Sequence, residues 1–242
     1  MVKSKNPLQL DHLLKHQLEE ASYTPSAYSM AWAARLEDEF GEPLFPMALL
    51  WLHANQNEDG SWGNTPLSLT YYSDRIITTF MALIVLKEWS NRGLLDFDEE
   101  IELGLSYLRE QVEGDLLEHY FPIGFGEVLP RLFAEAKSVG LFSEEEAGVL
   151  EHAFASLGIS LKHHREGYLA EPSLTQLYTL EGLSPLSLNW EKVLELQNRE
   201  GGYLASPAAA AYTYLHTGNQ QSLAYLQHIW AEFGFMPEVL FD

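Results

Sequence analysis

The sequence predicts an all-α protein built as an αα-barrel, a toroid in which an outer ring of helices surrounds an inner one. Three observations carry this. Apolar residues recur at helical spacing along most of the 242 residues, and no stretch alternates in the manner of a half-buried strand. Proline and glycine fall at helix starts and stops rather than inside hairpin signatures. One leucine-rich helix end followed by a glycine turn is written twice, as QNEDGSW from 56 and QNREGGY from 197. Hydrophobic residues make up 46% and aromatics 12%, enough to bury a sizeable core and too much for a disordered chain.

Taken in order, residues 6–21 place Leu8, Leu10, Leu13, Leu14 and Leu18 on one stripe. Residues 23–40 open a helix with Thr24 as cap and Pro25 at the first helical position, where its missing N–H costs nothing. Pro46 repeats the device for the helix that ends at Gln56. The stretch 73–93, capped by Ser73 and stopped by Gly93, is apolar on nearly all sides and is expected at the buried centre. Further helices are expected at about 98–112, 127–139, 143–157, 172–182, 189–197, 206–217 and 219–233. Pro172 and Pro207 sit just inside helix starts, and Gly140, Gly182 and Gly218 just past helix ends. Ten or eleven helices, short loops and no shift of composition argue for one all-α domain over 1–242.

The repeated turn has a mechanical reading. In both copies a helix ends at a glutamine (Gln56, Gln197), then come an acid and a glycine (Asp59-Gly60, Glu200-Gly201) and an aromatic ring (Trp62, Tyr203). Glycine admits positive φ, the glutamine can bond frayed backbone at the helix end, and the ring covers it. Such a turn joins an outer helix to an inner one, and two copies point to an internal pseudo-repeat.

Charge and composition exclude several classes. Fourteen Lys+Arg against 35 Asp+Glu give a formal net charge of −21, a field that repels nucleic acid and anionic membrane. No apolar run approaches the roughly 18 residues of a membrane span, and the N-terminus lacks the apolar core of a secretory signal. Cysteine is absent, which removes disulfides, thiolate metal sites and a cysteine nucleophile. A cytoplasmic location is expected.

Eight collinear stretches carry a resemblance. They are SAYSMAWAARL (26–36), LLWLHANQNEDGSWG (49–63), SDRIITTFMALIVLKEW (73–89), GLSYLREQV (104–112), FPIGFGEVLPRLFAEAKSVGL (121–141), LTQLYTLEGL (174–183), NWEKVLELQNREGGYLASPAAAAY (189–212) and LAYLQHIW (223–230). In order and spacing they resemble the γ domain of class II diterpene cyclases of the copalyl diphosphate synthase type. The resemblance implies an αα-barrel that packs against a second barrel, the β domain, with the active site in the cleft between them. There the terminal double bond of geranylgeranyl diphosphate is protonated, the chain closes to a bicyclic labdane cation, a base removes a proton and the diphosphate stays attached. The family's proton donor is an Asp of a DxDD motif on the β domain, and this chain has no DxDD. DFDEE at 96–100 is one carboxylate short, and it sits where a γ-domain helix starts, with Asp96 or Asp98 as cap.

The same resemblance assigns roles to residues. Glu113, Asp115 and Glu118 precede the PIGF block as the family's acidic cluster does, a cluster associated with Mg2+ held against the diphosphate; hard oxygen ligands suit that ion. Lys162 and Arg165, with His163 and His164 between them, fall at a family segment that contacts the diphosphate. On the base side, Tyr178 occupies the position of a family histidine and Glu238 lies near that of its asparagine partner. Ser29 and Met30 replace the Asp-Thr pair of the family's SAYDTAW. Two readings follow: a γ-type subunit or domain that needs a separate β-type partner carrying DxDD, with an apolar face for that partner or for self-association, or a catalytically silent helical module.

Overall fold

In the computed structural model, the structure describes residues 24–63, 70–93, 95–113, 124–156, 158–161, 169–177 and 179–237. The leucine stripe of 6–21 lies outside them. Ten α-helices are seen among the described residues: α1 (Ala27–Ala34), α2 (Pro46–Ala54), α3 (Thr70–Asn91), α4 (Asp98–Glu113), α5 (Phe125–Ser138), α6 (Glu144–Ser156), α7 (Leu174–Leu177), α8 (Trp190–Glu195), α9 (Pro207–Thr217) and α10 (Gln220–Phe233). Short 3-10 turns span Leu180–Gly182 and Pro185–Ser187. Only isolated β-bridges occur among the described residues, so the all-α expectation stands.

Several helix starts differ from the sequence reading. The cap of α1 is Ser26, whose Oγ accepts from Ser29 N–H at 3.3 Å; Thr24 and Pro25 precede the helix. Pro25 instead pairs in an antiparallel bridge with Pro237, and Ser26 N–H donates to the Met236 carbonyl at 2.9 Å, so the two ends of the described chain meet. Ser73 is not a cap either, because α3 begins at Thr70 and runs over it. The helix expected at 172–182 is broken: Pro172 lies ahead of Ser173, α7 lasts four residues, and a separate 3-10 turn follows. Elsewhere the punctuation holds, with Pro46 and Pro207 in the first turns of α2 and α9 and Gly218 in left-handed conformation (φ 65°) capping α9.

The packing explains how a chain so apolar stays one object. α1 touches α3, α3 touches α5, α5 touches the turn Leu180–Gly182, that turn touches α9, and α9 returns to α1. This is a closed inner ring. α2 packs on α1, α4 on α3, α6 on α4 and α10 on α9, giving the outer layer. Burial follows: every residue from Phe80 to Leu86 of α3 is fully buried, as are Ala209–Tyr212 of α9. The Leu180–Gly182 turn thus takes the place of an inner helix and closes the ring between α5 and α9.

The twin turns are the same structure twice. Asn57 N–H donates to the Ser61 carbonyl (2.8 Å) and Gly60 N–H to the Asn57 carbonyl (2.9 Å); the equivalents from Asn198 to Gly202 and from Gly201 to Asn198 measure 3.0 and 3.1 Å. Gly60 (φ 84°) lies so close to α4 that a Cβ would stand 2.2 Å from the Leu103 carbonyl oxygen, and Gly201 (φ 99°) stands in the same relation to Gln221 of α10, at 2.1 Å. The glutamines do something other than mend the end of their own helix. Gln56 Nε2 donates to the carbonyls of Gly60 (2.8 Å) and of Glu100 in the first turn of α4 (2.9 Å). Gln197 Nε2 donates to the Gly201 carbonyl (2.6 Å) and to Ser222 Oγ in the first turn of α10 (2.7 Å). Each glutamine therefore ties its turn to the start of an outer helix. The helix end itself is mended in the first copy by the Trp62 indole, which donates to the Leu52 carbonyl at 2.8 Å.

Candidate functional site

A buried polar band runs inside the ring. Arg35, the C-cap residue of α1, forms a bidentate pair with Glu88 of α3 (Nη2–Oε1 2.8 Å, Nε–Oε2 3.0 Å) and reaches Glu135 of α5 at 3.1 Å. Arg131 of α5 donates to the other oxygen of Glu135 at 2.7 Å. Two guanidinium groups thus meet two carboxylates, which is how charge is tolerated away from water. Next to this band, the Tyr28 hydroxyl of α1 donates to Glu181 Oε1 at 3.2 Å, while Glu181 Oε2 has no protein partner. Glu181 is 4% exposed, and burial pushes its carboxyl up to about 7 despite bonds from its own N–H and from Tyr28. His216 of α9, packed against Tyr212 at 4.4 Å between ring centroids, is pushed down to about 4 by burial and by Arg131 and Arg35. It is neutral at pH 7 and supplies no cation.

Other charged groups have structural work. Asp59 of the first twin turn accepts from Ser61 N–H (3.1 Å) and from buried Arg75 (2.6 Å); against the opposing effect of burial, the hydrogen bonds from Ser61 and then Arg75 hold its carboxyl below the usual range. Asp98, the decoy acid, is exposed at the start of α4, where its N–H is capped by Asp96 Oδ1 at 3.1 Å. It lines none of the described cavities.

An open cavity of about 360 Å³ lies beside the seam where the two ends meet, walled by Tyr28, Trp51, Asn55, Asn57, Asp74 and Thr78 among others. A smaller groove of about 230 Å³ runs between α4 and α6 over Leu108, Phe142 and Leu150. None of the described cavities has Glu181 in its wall. Exposed apolar side chains fall on separate elements: Phe40 ahead of α2, Met47 and Leu50 on α2, Leu103 on α4, Val149 on α6 and Leu186 in the 3-10 turn Pro185–Ser187.

The sequence-assigned site residues Asp115, Glu118, Lys162, Arg165, Tyr178 and Glu238 lie outside the described residues, as does the side chain of Glu113 at the end of α4. Among the described residues no three His, Cys, Asp or Glu side chains could together hold a metal ion. The sequence reading passed over Glu181 and Tyr28, although both stand in the quoted blocks. The available signal was an acid between Leu180 and Gly182 inside an apolar segment, where a solvated carboxylate is out of place. Ser29 and Met30, at the positions of the Asp-Thr pair, are both buried, and the Met30 sulfur accepts from Met236 N–H at 3.2 Å.

No family profile matches the chain. Individual relatives do. It is 36% identical over 222 residues to copalyl diphosphate synthase 1 of Selaginella moellendorffii, covering 90% of this chain and 29% of that protein. It is 35% identical over 214 residues to the bifunctional levopimaradiene synthase of Ginkgo biloba, a chloroplastic protein by name, covering 87% of this chain and 24% of that one. Over nearly its whole length the chain is homologous to one domain-sized part of the diterpene cyclases. The chain spans about a quarter of the length of these relatives. Its ring superposes on abietadiene synthase from Abies grandis with a TM-score of 0.74 at 29% identity, over 97% of this chain and 31% of that one. For ent-copalyl diphosphate synthase from Arabidopsis thaliana, in complex with (S)-15-aza-14,15-dihydrogeranylgeranyl thiolodiphosphate, the TM-score is 0.72 at 29% identity, over 97% and 34%. Among the described residues no helix is long and apolar enough to cross a membrane.

Proposed function

We propose that this chain is the γ-type domain or subunit of a class II diterpene cyclase. With a β-type partner carrying DxDD, it forms the cleft that cyclises geranylgeranyl diphosphate to a bicyclic, copalyl-like diphosphate. The observation that carries the reading is the match of nearly the whole chain to one third of a copalyl diphosphate synthase crystallised with a geranylgeranyl-type thiolodiphosphate. Protonating an alkene requires a strong acid preorganised in a dry, ring-lined pocket. Among the described carboxylates, Asp98 is exposed, Glu135 is committed to two guanidinium groups, and Glu181 lines none of the described cavities. On this reading the acid comes from the partner, and this ring contributes a wall. Lys162 and Arg165 grip the diphosphate, Tyr178 and Glu238 stand on the base side, and Mg2+ arrives with the substrate near Glu113, Asp115 and Glu118.

The test is incubation of geranylgeranyl diphosphate and Mg2+ with this chain alone, with a DxDD-bearing β-type protein alone, and with both. Bicyclic diphosphate formed only by the mixture supports the reading. Two proteins that neither associate nor react together would sink it and leave the second reading, a silent helical module. One observation favours that alternative: at the Asp-Thr positions of the family this chain has Ser29 and Met30, both spent on packing.

A further inference from the structure

Glu181 stands in an unusual place. The turn Leu180–Gly182 is the shortest member of the inner ring, yet it packs on both α5 and α9, which also meet through Arg131 and the Tyr212 hydroxyl. A ring closed by one 3-10 turn depends on side-chain contacts, because the turn has few backbone bonds of its own: Gly182 N–H to the Thr179 carbonyl and Leu183 N–H to the Leu180 carbonyl, both 3.0 Å. The contacts are tight on both sides. A Cβ on Gly124, at the start of α5, would stand 2.3 Å from Thr179 Cγ2, and one on Gly182 would stand 3.0 Å from Val128 Cγ2. The Tyr212 hydroxyl of α9 donates to the Leu183 carbonyl at 2.6 Å. In the middle of this fit sits a carboxyl that is 4% exposed, with one oxygen bonded to Tyr28 and the other to nothing.

The groups around it offer no compensating charge. α1 contributes Tyr28. α5 contributes Arg131 and Glu135, paired with each other, and Arg35 is likewise spent on Glu88 and Glu135. α9 contributes Tyr212 and the neutral His216. A carboxylate there would be a buried anion without a cation, and the structure has two ways out: keep the proton, or open the turn to water.

We propose that Glu181 is a protonation-dependent latch: while its carboxyl is neutral it holds the Leu180–Gly182 turn between α5 and α9, and on losing its proton it releases the turn and opens the inner ring at that one joint. Every other inner contact is helix on helix, so release is local rather than global. Burial, which lifts the carboxyl to about 7, puts the change near neutral pH. The latch stands on the fold alone. In a cyclase complex it would also reach residue 178, next to the turn on the proposed base side, and only that consequence depends on the functional reading above.

The test is hydrogen exchange of the 180–183 amides in the full chain from pH 5 to 9, corrected for intrinsic rates, alongside the infrared band of the protonated carboxyl. Wild type should show the band disappear and exchange at 182 and 183 rise by about tenfold or more in one step near neutral pH. Glu181→Gln, which keeps the bond from Tyr28, should lack both changes and stay protected throughout. Tyr28→Phe, which removes a bond favouring the charged form, should move the step to higher pH. If the turn exchanges equally in wild type and Glu181→Gln at every pH, or the carboxyl titrates while the turn stays protected, there is no latch.

Discussion

At the scale of single residues, Glu181 makes a stability statement with a definite sign. Its carboxyl titrates at about 7 when folded, against an ordinary value of 4.5 when unfolded. The folded state therefore binds the proton more tightly, and stability falls as pH rises between these values. Below 4.5 the carboxyl is neutral in both states and costs nothing. Above 7 the loss is complete and amounts to roughly 3 kcal/mol. Glu181→Gln should accordingly raise the urea midpoint at pH 8 and leave it nearly unchanged at pH 4. An equal gain at both pH values would mean that the substitution acts through packing. His216 carries the opposite sign: its value is lowered, so protonation on acidification below the ordinary value of 6.5 favours the unfolded chain. Both groups were plain in the sequence as letters, but their environments were not. Burial and the lack of a counter-ion belong to neighbours that are distant along the chain; Tyr28 and Glu181 are 153 positions apart.

At the scale of elements, the twin turns show what a short pattern can and cannot specify. Asn57 and Asn198 close the same backbone loop, so the repeat was legible as one local structure. The work of the glutamines was not, because each reaches the start of a helix that follows a whole intervening helix. Gln197→Ala removes bonds to the Gly201 carbonyl and to Ser222 and should cost about 1–3 kcal/mol in chemical denaturation. Gly201→Ala should cost at least as much, about 2 kcal/mol or more, since both its φ and the Gln221 carbonyl oppose a Cβ. If Gly201→Ala is neutral, the turn does not dock on α10 as described. The misplaced helix starts share one cause. Thr24-Pro25 reads locally as a capped helix, but Pro25 is used in the seam with Pro237, and Ser26 takes over the capping. Local propensity proposes a boundary, and a nearby tertiary pairing can move it by a residue or two.

At the scale of the whole molecule, the closed ring of α1, α3, α5, the Leu180–Gly182 turn and α9 leaves the two ends of the described chain side by side at the Pro25–Pro237 bridge. A module whose ends meet can sit within a longer polypeptide without disturbing it, which fits relatives about four times the length matched here. Within the proposed two-barrel enzyme, Lys162→Ala should raise the apparent KM for geranylgeranyl diphosphate about tenfold or more with little change in the unfolding midpoint, as expected for the loss of one ionic contact to a phosphate. An unchanged KM would remove Lys162 from the substrate's surroundings.

The amino-acid sequence by itself determined the helical class, the order of the elements, the repeated turn and the family resemblance, because periodicity, proline and glycine placement and short motifs act over a few neighbouring residues. Only the tertiary structure decided that residues 172–182 break into two short turns, that one of them closes the inner ring, and that an acid within it is left without a cation. Those outcomes depend on which distant surfaces exclude water together, and no local stretch of the chain encodes that alone.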